Sequence, residues 1–260
     1  MTGGADAKRR EVAYSTSHRA EIEDYPIPDI DRNAEFLDFF ARSRQFTMTS
    51  KEVMYSTYMA ARHVVERGIP GDMVECGVWR GGSALLIGLA MRAAEGRSPR
   101  RGWLRRPRPR KIWLYDTFEG MTAPTERDVD LTGTAAATYM AEHSDEGRWC
   151  YADEADVRKV MAMEGFGPGD IEIVKGDVVQ TLRTRRPNRI ALLRLDTDWY
   201  ESTRAELEVL YPRLSRGGVL IIDDYGHWEG ARQAVDEFFA REPGVLLHRI
   251  SYAVRVAVKV

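Results

Sequence analysis

Only two cysteines, Cys76 and Cys150, occur in 260 residues, and neither stands in a CxxC pair or a Cys/His cluster. That excludes a disulfide-stapled secreted scaffold and a zinc site of the usual spacing, so a reducing cytoplasm is the expected compartment. Apolar runs are short as well. None approaches the roughly 18 uncharged residues of a membrane span, and the N-terminus MTGGADAKRREVAYSTSHRAEIEDYP has basic residues but no apolar core of signal-peptide length. Neither export nor membrane insertion is expected. An excess of one charge is missing too: 38 Lys and Arg face 40 Asp and Glu, a net charge of -2, which gives no general pull toward nucleic acid or an acidic membrane. What remains is an ordinary globular composition, 43% hydrophobic and 30% charged, at a length that a single decorated α/β domain often reaches.

Residues 1–30 are polar, lack sustained periodicity and end in YPIPDI, which predicts an extended arm of the kind that packs on a neighbouring subunit; a homodimer is expected. Residues 31–70 read as a helical segment. Asp31 or Asn33 can cap a first helix carrying Phe36, Leu37, Phe39 and Phe40, and Thr49 or Ser50 a second one that Gly68 stops. From 71 to 260 the rhythm changes to strand, turn, helix. The runs MVECGV, KIWLYD, IEIVKGD, RIALLRLD and GGVLIIDD alternate with helical segments, which predicts a doubly wound, mostly parallel sheet. The last stretch, VLLHRISYAVRVAVKV, has two apolar-rich runs with no helix between them and suits an antiparallel hairpin at a sheet edge. The arginine-rich, proline-broken insertion at 97–111 reads as a solvated surface feature or a phosphate-binding patch, and no RNA-binding module accompanies it.

Ligands of open α/β sheets sit beyond the carboxyl ends of the strands, and here most of those ends are acidic. The first strand runs into Glu75-Cys76-Gly77-Val78-Trp79-Arg80-Gly81-Gly82-Ser83. Its glycines let the backbone approach a ligand, and Glu75 can accept hydrogen bonds from an ammonium group. A GxGxxG fingerprint is absent, and a carboxylate there repels a pyrophosphate, which argues against a dinucleotide. Asp116, in LYDTFEG, is placed for ribose hydroxyls and Asp177, in VKGDV, for an adenine amino group; alone, either can instead cap the next helix. Together they favour a nucleoside with a cationic tail.

Asp196 and Asp198 end the fourth strand and Asp223 and Asp224 the fifth. Four carboxylates at adjacent strand ends repel one another unless a cation compensates them, and an all-oxygen donor set favours a hard ion such as Mg2+, with calcium or manganese also fitting. With Asp196, Asp223 and Asp224 as ligands, Asp198 is free to act as a general base or, in the plainer alternative, caps the following helix. His227 is a rival base, or a substrate or packing residue. Trp149, Trp199 and Trp228 can line an acceptor pocket, and Trp199, Tyr200 and His227 are the candidate substrate contacts.

VECGVWRGGSA, LYDTFEGM and LLRLDTDWYESTRAELEVLYPRLSRGGVLIIDDYGHWEGARQAVDEFF together resemble the macrocin O-methyltransferase family, over roughly residues 30 to 260. The resemblance implies a class I methyltransferase with a Rossmann-like sheet, using S-adenosylmethionine and Mg2+ to methylate deoxysugar hydroxyls of macrolide and aminocoumarin antibiotics. It likewise implies Asp196, Asp223 and Asp224 as metal ligands, Asp198 as base, and a lid over the cofactor around Thr47, Met48 and Tyr58. The expected cofactor set is Thr47, Met48, Tyr58, Glu75, Gly77, Arg80, Ser83, Asp116, Phe118, Asp177 and Asp196. Overall likeness points to the 4-hydroxyl of noviose in a novobiocin-type glycoside as the acceptor, a small glycosylated molecule; a macrolide deoxysugar or a catechol are the alternatives. A silent cofactor-binding protein is a further alternative, and the intact acidic cluster argues against it.

Overall fold

The computed structural model describes residues 28–97, 109–143, 148–242 and 244–260. Nearly all of the expected N-terminal arm and most of the arginine-rich insertion lie outside the described residues. After a helical turn at Pro28–Asp31, helix α1 (Ala34–Ser43) is capped by Asn33, whose side chain accepts from the Phe36 amide at 3.0 Å. Phe36, Phe39 and Phe40 recur at the spacing that puts them on one buried face. Helix α2 (Lys51–Glu66) buries Val53, Met54, Thr57, Ala61 and Val64 in the same way, and the chain turns at Gly68 with φ 67.

The sheet then builds from β1 (Asp72–Cys76), β2 (Ile112–Asp116), β3 (Ile171–Lys175), β4 (Ile190–Leu195), β5 (Leu214–Ile222), β6 (His248–Arg249) and β7 (Arg255–Val258). Its order is β3-β2-β1-β4-β5-β7-β6, with β7 antiparallel to both neighbours and the other pairs parallel. The mostly parallel sheet and its antiparallel edge agree with expectation, although β6 covers two residues only and the VLL run before it forms no strand.

Alternation along the strands feeds two cores. Met73, Ile112, Ile173 and Ile221 face α1, α2 and α3 (Gly82–Arg97), while Val74, Leu193, Leu220 and Ile222 face the side that holds α7 (Tyr200–Leu210) and α8 (Glu229–Phe239). Each fully buried Leu, Ile or Phe contributes roughly 1.5–3 kcal/mol. Helix α3 is buried throughout Gly82–Met91 because α1 and α2 close over it, which explains why its apolar residues run all the way round. The remaining helices are α4 (Ala136–His143), α5 (Glu154–Met163) and the single turn α6 (Val178–Thr181). No helix among the described residues is long and apolar enough to cross a membrane.

Strand order reverses between β1 and β4, and register levels their ends: Cys76 pairs with Tyr115 on one side and Leu195 on the other, and Leu195 pairs with Ile222. The next residues in each strand, Gly77, Asp116, Asp196 and Asp223, therefore emerge side by side at the crevice where such sheets bind ligands.

Candidate active site

That crevice is open to solvent and is lined by residues that follow four strand ends, among them Gly77, Asp116, Asp177, Asp196 and Thr197. Its floor is tight. Gly77 has φ 79, and a Cβ there would lie 1.8 Å from the Asp196 carbonyl oxygen, so the strand ends can meet only at a glycine. Asp116 takes the Val78 and Trp79 amides on Oδ2 (2.7 and 3.0 Å) and the Phe118 amide on Oδ1 (2.8 Å). Asp177 caps α6 through the Val179 amide at 2.9 Å. Asp177 thus caps a helix while Asp116 ties the loop after β1 to the end of β2, and both line the crevice as well.

Glu75, expected to meet an ammonium group directly, is instead wholly buried. Its Oε1 accepts from the Ser83 hydroxyl at 2.5 Å and from Arg194 Nη1 at 2.8 Å, and its Oε2 has no hydrogen-bond partner. Burial pushes Glu75 up to about 7 against the opposing pull of Arg194 and Ser83. Arg194, which sequence reading passed over, is also fully buried and reaches Asp196 at 2.6 Å, Asp223, and the Thr49 hydroxyl at 3.2 Å.

The carboxylates that converge are Asp196, Asp198 and Asp224, with ligand atoms within 4.8 Å of one another. Asp223, expected as a third ligand, is turned to Arg194. Asp224 Oδ2 is buried without a partner, an orphan that a hard cation would satisfy. Burial, and then the charges of Asp198, Asp196 and Asp223, hold Asp224 well above the usual carboxylate range. Burial also raises Asp198 to about 7; hydrogen bonds with Asp224 and the Trp228 indole pull it down, and the Asp196 charge pushes it up. Asp198 sits at φ 68, a left-handed conformation that costs energy and recurs at functional sites. It does not cap α7: the Tyr200 amide is held at 2.8 Å by Asp128, buried and 72 residues distant.

Other expected residues fall elsewhere. The Tyr58 ring packs on Phe36 and Phe39 and its hydroxyl donates to Glu35 at 2.8 Å, which puts it in the helical core instead of over the crevice. Thr47 is buried, accepting the Thr49 amide, whereas Met48 is exposed; Thr49 is the member of that segment that touches the acidic cluster, through Arg194. Arg80 lies over the Phe46 and Trp79 rings, and Phe118 is buried in the α1–α3 core. Tyr200 is buried, donating to Glu237 at 2.7 Å beneath Arg127. Trp199 is buried against Trp228, its indole donating to the Thr122 carbonyl at 2.9 Å. Of the three tryptophans only Trp149 is half-exposed. His227 Nδ1 lies 3.1 Å from the hydroxyl of Tyr252, a residue also missed; burial and the charges of Asp224, Asp223 and Asp198 raise that hydroxyl to about 12. Cys150 and Glu206 were missed too. Glu206 is buried behind Asp196, accepting from the Thr197 hydroxyl at 2.9 Å, and Cys150 feels Asp198, Asp196 and Asp116.

The arrangement places a polar crevice at the strand ends beside a cluster of carboxylates, and the comparisons give the family. A family profile described as Macrocin-O-methyltransferase (TylF) matches residues 5–245. A demethyldecarbamoylnovobiocin O-methyltransferase from Streptomyces niveus is 32% identical over 195 residues, covering 75% of this chain and 68% of that one. An 8-demethyl-8-(2,3-dimethoxy-alpha-L-rhamnosyl)-tetracenomycin-C 4'-O-methyltransferase from Streptomyces olivaceus is 34% identical over the same length, with the same coverage. The solved O-methyltransferase NovP superposes with a TM-score of 0.67 at 29% identity over 82% of each chain.

Proposed function

This chain belongs to the macrocin O-methyltransferase family, and we propose that it methylates a sugar hydroxyl of a glycosylated antibiotic, with Mg2+ held at the acidic cluster. Its reaction class, S-adenosylmethionine-dependent O-methyl transfer, follows from the family. The proposed acceptor is the 4-hydroxyl of noviose in a novobiocin-type glycoside, a reading supported by the relative named for a novobiocin precursor. The single observation that carries the metal is the convergence of Asp196, Asp198 and Asp224 around the orphaned Asp224 Oδ2.

When bound, S-adenosylmethionine supplies an electrophilic methyl group on a cationic sulfur, and Mg2+ lowers the pKa of a hydroxyl and orients it. Asp116 and Asp177 are the residues to hold the nucleoside, each keeping acceptor positions beyond those its backbone partners fill. Asp196 and Asp224 belong both to the ligand set that the resemblance implies and to the trio assembled here; Asp223 is assigned as their third partner. Asp198 takes the acceptor's proton on its carboxylate as the methyl transfers. A positioned carboxylate within the cluster suits that general-base role. Thr49 reaches the acidic cluster only through Arg194, 3.2 Å away. The relatives named for sugar-bearing antibiotics support a sugar acceptor over a catechol.

The test is incubation with S-adenosylmethionine, Mg2+ and three acceptors: a desmethylated aminocoumarin glycoside, a macrolide deoxysugar glycoside and a catechol. Mass spectrometry then locates the added methyl. Methylation of the noviose 4-hydroxyl is expected; turnover of the catechol alone would overturn the proposal.

A further inference from the structure

Arg194 is the most conspicuous charged residue that the proposed chemistry leaves unused. It interrupts the apolar run of β4, every residue of which is buried. In the β1–β4 register it stands directly opposite Glu75, one residue before the strand ends, and strand alternation turns both side chains toward the α2–α3 layer. A guanidinium is planar and carries its donors in a fixed fork, so its partners take up a fixed spacing. Nη1 serves Glu75 at 2.8 Å and Asp196 at 2.6 Å; Nη2 serves Asp223 and the Thr49 hydroxyl at 3.2 Å. One rigid group thus joins β1, β4, the end of β5 and the segment leading into α2.

Those contacts divide the acidic residues into two sets. Glu75 and Asp223 face Arg194, Asp198 and Asp224 face away into the cluster, and Asp196 touches both the guanidinium and the cluster. Without a counter-ion, three carboxylates so close would splay apart or protonate. With Arg194 clamping them, Asp196 and Asp223 are held in place, and Asp196 reaches the cluster from that fixed position.

We propose that Arg194 is a positioning residue: by clamping Asp196 and Asp223 against Glu75 it sets the spacing of the carboxylates that receive the metal ion. This rests on the metal-dependent reading above. Residues that orient metal ligands from behind typically command about 10- to 100-fold in metal affinity. Donor affinity should move less, because Asp116 and Asp177 are held by backbone amides and not by Arg194.

The experiment measures Mn2+ binding by the loss of free-ion paramagnetic resonance signal, with no methyl donor or acceptor present. Wild type is compared with Arg194→Lys, which keeps the charge but cannot span four partners, and with the double variant Arg194→Met/Glu75→Gln, which removes one cation and one anion together and so avoids a stranded buried charge. Circular dichroism confirms the fold, and calorimetry gives the donor affinity. Whichever variants fold should bind Mn2+ about 10- to 100-fold more weakly, with a smaller change for S-adenosylmethionine. Wild-type Mn2+ affinity in a folded variant would overturn the positioning role while leaving the metal site intact. An equal loss for donor and metal would mark Arg194 as a merely structural residue. If wild type itself failed to bind Mn2+, the metal reading would fall, and this inference with it.

Discussion

Replacing Gly77 by alanine should separate the geometric requirement of the site from simple backbone strain. The added Cβ would stand 1.8 Å from the Asp196 carbonyl oxygen and 2.5 Å from its carbon, against the 3.0 Å below which real contacts essentially do not occur. The backbones of residue 77 and Asp196 must therefore separate by about 1.2 Å, the difference between 3.0 and 1.8 Å. The hydrogen bond from the Asp196 amide to the Cys76 carbonyl, 2.9 Å long, lies in the path of that separation. Left-handed backbone at an alanine costs about 1–2 kcal/mol and a lost hydrogen bond about 0.5–1.5 kcal/mol, so a stability loss of about 1.5–3.5 kcal/mol is expected. A displacement on the order of 1 Å at a residue that orients the reaction costs about 10²-fold in rate. Gly81→Ala is the matched control. Its φ is 85, nearly that of Gly77, but its Cβ would meet only a Val157 methyl at 3.3 Å. Initial rates of methyl transfer and thermal melts on both variants decide the matter: Gly77→Ala should lose about 10²-fold in kcat/KM, and Gly81→Ala should lose stability of about 1–2 kcal/mol with most of its activity kept. Equal losses of activity would refute the close approach of β1 and β4 as the cause.

Asp198→Asn should lower kcat by about 10²- to 10⁴-fold with metal affinity nearly intact, whereas Asp196→Asn should weaken the metal; near-normal kcat in Asp198→Asn beside a loss in His227→Ala would move the base to the histidine. Calorimetry should find binding of S-adenosylmethionine and none of NAD, and comparable affinity for the two would remove the nucleoside-with-cationic-tail reading of the crevice. Stability should fall with rising pH because of Glu206, which burial raises to about 8 against hydrogen bonds from Thr197 and Cys76. A carboxyl whose folded pKa exceeds its unfolded value of about 4.3 binds its proton more tightly when folded, so its stabilisation is complete below that value and is lost as pH rises through about 8. Glu206→Gln should accordingly flatten the fall in Tm between about pH 5 and 9, and an unchanged slope would count against it.

The strands and their order of alternation with helices were legible because each apolar run ends at an acidic residue or a glycine turn. The same runs put Asp116, Asp177, Asp196 and Asp223 at strand ends, where register then aligned them. Arg194 was not legible. A lone cation in IALLRL reads as an interruption until the pairing of β1 with β4 sets it opposite Glu75, and pairing is a tertiary fact. The cap of α7 is hidden for the same reason, since Asp128 supplies it from 72 residues away. Tyr58 and Trp199 carried polar, ligand-like side chains on paper, but each finds its hydrogen-bond acceptor within the protein, Glu35 for one and the Thr122 carbonyl for the other. Sequence also cannot tell which of four adjacent carboxylates will meet a buried guanidinium; here Asp196 and Asp223 both do.

The most direct test of the acidic cluster as a metal-loaded centre for hydroxyl activation is a Mg2+ titration of the initial rate of methyl transfer, after exhaustive chelation. No turnover in chelator, recovery that saturates with Mg2+, and no recovery at any Mg2+ concentration in Asp224→Ala with an intact fold are the expected results. Full activity in chelator would show that Asp196, Asp223 and Asp224 hold no catalytic metal and that the hydroxyl is activated without one.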